Sequence, residues 1–259
     1  MAAVSDLALI IRAPTDESFA HEGISPQPIN DNSRRGSPGQ ELQIVSPPSN
    51  NVLDGIYVGS YTADNLTTGG SVQIVCDDFR DDSNYDSHTY TTTAFSLGSS
   101  LGNTLWGSKG ATLTQYEEAA WLTIGMLGQT GVTQGEYSFA IWAIFDAGDV
   151  ANWLTKYGDA ATCNAVFGTG SFAGGKCTAG KGGLVGQALA GASTYTPGEF
   201  SNVLILTPTG CSSNSCPEQE FLEVVAEGGS TGLYLLLAGL ACFGAIILRS
   251  LHQQGTKLA

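Results

Sequence analysis

The sequence predicts an α+β protein: an antiparallel, β-rich ectodomain with a helical insertion, followed by one C-terminal transmembrane helix. Three observations lead there. From Asn51 to about Ser108 strand-like runs alternate with Gly, Asn and Asp clusters, the apolar period changes at Thr114, and Gly232 to Leu248 is unbroken by charge.

Residues 1–50 are expected to be disordered. Pro14, Pro26, Pro28, Pro38, Pro47 and Pro48 punctuate a polar stretch in which no period of 2 or 3.6 is sustained. The start, MAAVSDLALIIRAPTDE, has an apolar piece only from Leu7 to Ile11 and no cation before it. It does not read as a signal peptide, so an exported body implies a start further upstream.

The body is taken as one domain over 51–226. Ile56-Tyr57-Val58, Ser71 to Val75 and Thr89 to Phe95 read as antiparallel strands. Thr114-Gln115-Tyr116-Glu117 has the capping-box form, and Tyr116, Ala120, Ile124 and Leu127 then share a helical stripe that ends at Gly128. Glu136 to Phe145 is apolar nearly all round and predicts a buried helix that stops at Asp146-Ala147-Gly148, with Asp149 capping a short segment from Val150 to Leu154. Beyond Gly158 the chain is glycine-rich, and strands return at Phe200 to Leu206 and Phe221 to Val225.

The last segment, 227–259, decides location. Seventeen residues from Gly232 to Leu248 rise ~26 Å as a helix, close to the ~30 Å bilayer core, and Ser230, Thr231 and Leu251 extend it. Its Leu, Ile and Phe side chains favour insertion by about 3–5 kcal/mol with no charge to oppose them. Glu227 precedes the run and Arg249, His252 and Lys257 follow it, so the tail is cytoplasmic and the body is outside. Just before the run stands Val225-Ala226-Glu227-Gly228-Gly229-Ser230. Motif, helix and basic tail together resemble the sorting signal of PEP-CTERM bacterial surface proteins, with Ala226 in the usual Pro place and only Arg249 and Lys257 as the basic cluster. The resemblance implies cleavage by an exosortase-like enzyme near Ala226, Glu227, Gly228, Gly229 and Ser230. It also implies a cell-membrane, cell-surface or matrix location and a partnership with extracellular polysaccharide.

Charge excludes nucleic acid as a partner. Ten Lys plus Arg face 24 Asp plus Glu, for a net charge of −14 that repels phosphate backbones.

An extracytoplasmic body favours disulfides. Cys163 with Cys177 and Cys211 with Cys216 are the preferred local pairs, which leaves Cys76 as a buried small residue or a candidate reactive thiol; Cys242 lies in the membrane run. Zinc is disfavoured, because no Cys-x-x-Cys occurs and His21, His88 and His252 are scattered. The acids Asp77, Asp78, Asp81 and Asp82 are weak calcium candidates without EF-hand spacing, and a solvated charge run is the plainer reading.

Ile74-Val75-Cys76-Asp77-Asp78-Phe79 and Ala140-Ile141-Trp142 form a second pattern. Over about Gly55 to Leu154 this pairing resembles ectodomains of PEP-CTERM proteins and, more distantly, the thioester domains of Gram-positive adhesins. In those a strand Cys bonds to a Gln of a Thr-Gln-x-Ala-Ile-Trp motif. Here Tyr137 and Ser138 fill the Thr-Gln slots, and a seryl hydroxyl supplies no acyl carbon; Gln134 lies one turn earlier.

Enzyme signatures are sparse. No Gly-x-Ser-x-Gly elbow occurs, and Gly180-Lys181-Gly182-Gly183 has the wrong order for a phosphate loop and reads as a flexible surface loop. Glu117, Glu118 and Glu136 are the first suspects for glycan hydrolysis, although first-turn acids of helices explain them as well. Among the tryptophans, Trp121, Trp142 and Trp153 are expected in the core and Trp106 at the surface. The expectation is therefore a non-enzymatic surface protein without a cofactor, its alternatives being a carbohydrate-binding or covalent adhesin and a glycan hydrolase.

Overall fold

The computed structural model describes residues 37–46, 51–79, 89–99, 101–192, 194–196, 198–209 and 219–225. The sorting motif at 226–230, the apolar run 232–248, Cys211, Cys216, Asp81 and Asp82 lie outside the described residues. Among those described, no helix is long and apolar enough to cross a membrane.

Six strands close into an antiparallel barrel. They are β1 (Ser37–Ser46), β4 (Tyr61–Asn65), β5 (Ser71–Cys76), β6 (Thr89–Ser96), β9 (Val203–Pro208) and β10 (Phe221–Val224), in the order β1-β4-β5-β10-β9-β6 with β6 returning to β1. Closure leaves no unpaired edge. Alternation decides which side chains fill it: Tyr61, Ala63 and Asn65 point inward from β4, and Leu42 and Ile44 from β1.

β1 corrects the expected boundary at residue 51. Ser37–Ser46, read as part of a disordered segment, is a barrel strand, because Leu42 and Ile44 are fully buried while Glu41 and Val45 face solvent. Two buried side chains between prolines are too few to show a period on their own.

Between β6 and β9 the chain inserts its helices, as the change of period predicts. These are α1 (Leu105–Ser108), α2 (Leu113–Leu127), α3 (Gly131–Lys156), α4 (Ala160–Phe167) and α5 (Gly183–Ala192). They lie against the β5–β10–β9 side: Ile74 to Asp78, Ile205 to Pro208 and Gln219 to Glu223 are each buried without a break, which requires a cover on both faces of those strands.

Details of the helices differ from expectation. The capping box of α2 is Thr112 with Gln115, two residues earlier than expected: the Gln115 N–H donates to Thr112 Oγ1 at 3.3 Å and the Thr112 N–H to Gln115 Oε1 at 3.0 Å. Tyr116 and Ala120 are buried as predicted, but Ile124 and Leu127 are exposed, and Ala119, Leu122 and Met126 complete the inner face. The expected stop is present inside α3: Asp146 leaves helical geometry (φ −141°, ψ 63°), so α3 is two helices joined at a kink there. There Asp146 Oδ1, not Asp149, accepts the N–H that opens the second half, from Asp149 at 3.3 Å. Helices α4 and α5 occupy the stretch read as glycine-rich loop. The Gly180–Gly183 link between them is packed and not loose, since Gly182 donates to Phe167 O at 3.1 Å and a Cβ on Gly183 would stand 2.2 Å from Ala165 O.

A small hairpin joins strand and helix layers. β2 (Val52–Leu53) and β3 (Ile56–Tyr57) turn through Asp54 and Gly55, both at positive φ (51° and 88°), the mirror-image turn that an Asp-Gly pair favours. The hairpin lies against α3 at Gly135, where a Cβ would meet Leu53 Cδ2 at 2.7 Å.

Candidate functional site

The two halves of the second sequence pattern do come together. Strand β5 carries Cys76, and α3 turns Trp142 toward it so that Trp142 Nε1 donates to Cys76 O at 2.9 Å. Phe79 continues the contact, 5.3 Å from Trp142, 6.5 Å from Phe139 and 5.7 Å from Trp153 between ring centroids.

No covalent bond joins Cys76 to the helix. Its Sγ donates to Asp78 O at 2.8 Å, and the free thiol is buried. Burial first, then the carboxyls of Asp78 and Asp77, push that thiol well above its ordinary value, so it is a poor nucleophile. Ser138, in the acyl slot, accepts the Gly59 N–H at 2.8 Å and donates toward Gln134 O and Met126 Sδ. Gln134 Oε1 accepts from Asn51 Nδ2 at 3.4 Å. Neither side chain is engaged with the thiol.

Next to Cys76, where a solvated or calcium-binding loop was the expectation, Asp77 and Asp78 are fully buried. The antiparallel register that pairs Cys76 with Phe221 places Asp77 beside Glu220, and the Asp77 N–H donates to Glu220 O at 3.2 Å. Glu220 is well supplied with donors: Tyr116 Oη donates to Oε1 at 2.7 Å, and the Leu105 N–H (2.6 Å) and Thr207 hydroxyl donate to Oε2. Thr104 Oγ1 lies 2.7 Å from Tyr116 Oη and completes the network. Asp77 has no such donors, for neither of its oxygens meets an N–H or O–H group. What faces it is the other carboxyl, and two carboxyls bond only when one holds a proton.

Electrostatics assigns that proton. Burial, then the charges of Glu220 and Asp78, drive Asp77 well above the carboxylate range. Burial raises Glu220 as well, but the hydrogen bonds from Thr207 and Tyr116 and the backbone N–H groups oppose it. Glu220 is therefore the anion and Asp77 the neutral acid. Burial and the Glu220 charge keep Tyr116 a phenol far into the alkaline range. Glu220, Thr104 and Thr207 went unnoticed in the sequence, and Tyr116 was read only as a member of a helical stripe; the one signal was an acid at the head of an apolar strand.

Of the disulfides, Cys163–Cys177 is formed as expected. It ties α4 to β8 (Lys176–Cys177), which with β7 (Phe172–Ala173) makes a hairpin; Thr155 Oγ1 on α3 accepts the Cys177 N–H at 2.9 Å.

The suspected hydrolytic acids do not converge. Glu117 and Glu118 are neighbours on α2; burial, then the Glu117 charge, raises Glu118. Burial and Asp159 raise Glu136, on a different helix. Among the described residues no group of three or more His, Cys, Asp or Glu side chains is placed to hold a metal ion.

Three tryptophan assignments change, Trp121 among them, since it was expected in the core and is only partly buried. Trp106 is buried, stacked on Phe145 at 5.3 Å and 11°, instead of exposed. Trp153, expected in the core, is only partly buried and lines a surface cleft of about 410 Å³ with Phe79, Asp149, Asn152, Lys156 and Tyr157.

The class these features define is a closed six-stranded antiparallel barrel with a disulfide-stapled helical insertion over a buried acid pair. Comparison with protein-family models, curated proteins and solved structures finds no match.

Proposed function

We propose that the chain is a non-enzymatic bacterial surface or matrix protein, its barrel-and-helix body displayed outside the membrane by the helix over 232–248. In this reading the stretch Ala226 to Ser230 is a PEP-CTERM-like signal for an exosortase-like processing enzyme. The Cys163–Cys177 bond carries the reading, because reducing cytosol keeps such pairs as thiols whereas exported proteins keep them bonded. The cations Arg249 and Lys257 after the run agree with this orientation.

Absence of catalysis is supported by the chemistry of the acids. The strongest pair, Asp77 with Glu220, is fully buried, and Glu220 is occupied by donors of the protein itself. Covalent capture is disfavoured by the thiol, which is spent on Asp78 O while Ser138 offers no acyl carbon.

Expression of the full-length gene product, its start codon verified, in a Gram-negative host with an exosortase tests the placement. The body should remain with membranes or the surface fraction and be digested by protease added to spheroplasts, and the mature C-terminus should show the anchor retained or cut within 226–230. A body that protease reaches only after lysis overturns the proposal.

A further inference from the structure

The cleft beside Phe79 continues along the second half of α3, where Asp149, Asn152, Trp153, Lys156 and Tyr157 recur at intervals of three and four residues and so share one face. Such a face usually docks on a core. This one is half polar and turned outward: Asn152 and Lys156 are exposed and Tyr157 is 49% exposed.

Its aromatic part is held in place before any ligand arrives. Trp153 Nε1 donates to Asp54 O at 3.0 Å, so the hairpin turn fixes the indole. Phe79 meets that indole edge-on at 5.7 Å and 83°, and Tyr157 lies 4.4 Å from it at 46°. A fixed platform loses little conformational entropy on binding. Beside it stand the exposed Asn152 carboxamide, which both donates and accepts, and the exposed Lys156 ammonium, a donor. An aromatic surface with a few polar groups at its rim matches a pyranose ring, which has an apolar C–H face and hydroxyls along its edge.

Charge narrows the ligand. Lys156 Nζ stands 4.7 Å over the Tyr157 ring and repels a cation there, while the net charge of −14 opposes the approach of an anionic strand. We propose that this cleft binds a neutral pyranose unit within a polysaccharide strand, making non-covalent glycan capture the task of the body. The proposal rests on the surface placement above for where the glycan is met; the cleft itself belongs to the fold.

Native affinity electrophoresis of the full-length protein in mild detergent tests it, with hydroxyethyl cellulose, mixed-linkage β-glucan, dextran or anionic alginate cast in the gel. Retardation is expected in at least one neutral gel and not in alginate. Tyr157→Ala and Asn152→Ala, both exposed, should weaken it at least tenfold with unchanged melting temperature, whereas Tyr157→Phe keeps it. Retardation in no neutral gel, in alginate alone, or equally in wild type and the alanine variants overturns the site. A protein displayed outside cells yet retarded by no neutral gel sinks the glycan site alone; a cytosolic protein that is retarded sinks the placement alone.

Discussion

Glu220→Ala is expected to lower the melting temperature of the full chain by roughly 6–12 °C, about 3 kcal/mol for a domain of this size. The change strands the Leu105 N–H and the Thr207 hydroxyl in a dry interior and leaves the Tyr116 hydroxyl only Thr104 Oγ1, and each buried donor without a partner costs about 1–3 kcal/mol. Relief of the Asp77–Glu220 contact offsets part of that sum. Asp77→Asn should act in the opposite direction at neutral pH. The Asp77 carboxyl holds its proton more tightly in the folded chain than in the unfolded one, under the influence of burial, Glu220 and Asp78, with Cys76 and Tyr116 also nearby. Its contribution is thus complete below about pH 4 and fades as pH rises toward the folded value, with a slope of about 1.4 kcal/mol per pH unit for one proton. Asparagine has no proton to lose and can donate an N–H to Glu220. Thermal melts from pH 4 to 8 should show a smaller decline in the variant, and a melting temperature above wild type at pH 8. A wild type whose stability rises over that range would show that the pair is not protonated.

Removing the disulfide is the second large effect. Cys163→Ser opens a loop with a sequence separation of 14, and closing a loop of that size is worth about 3 kcal/mol. Loss of 6–12 °C in melting temperature is expected. Dithiothreitol should bring the wild type down to the variant and leave the variant where it is. Cys76→Ala does not share this behaviour, because its thiol is unbonded. If the reductant shifts both proteins equally, the bond is not the cause.

Much of the barrel could be read from local pattern. Strands β5, β6 and β10 lie within a residue or two of their expected spans, because each is a run of apolar or β-branched residues bounded by turn formers. β1 escaped notice because its inward residues are only Leu42 and Ile44, set between Pro38 and Pro47. On α2 the expected stripe was drawn from Ile124 and Leu127, whereas the interior takes the small Ala119 and the flexible Met126, which hydrophobicity alone does not single out. Acid residues were hardest. Asp77 and Asp78 look like a hydrated loop until Glu220, brought to them by the last strand of the barrel, shows why one carboxyl can stay neutral indoors. The Cys76–Trp142 approach was legible, since both residues sit in recognisable segments; the role of Trp153 was not, because a helix face at regular spacing is the same whether it docks or stays open.

The oxidation state of Cys163 and Cys177 in living cells tests the central claim most directly. Cells expressing the full chain are quenched with iodoacetamide before lysis and the protein is digested without reduction. Export of the body predicts one linked pair of peptides carrying Cys163 and Cys177, with Cys76 alkylated only after unfolding. Recovery of Cys163 and Cys177 as separately alkylated peptides from the folded protein contradicts it.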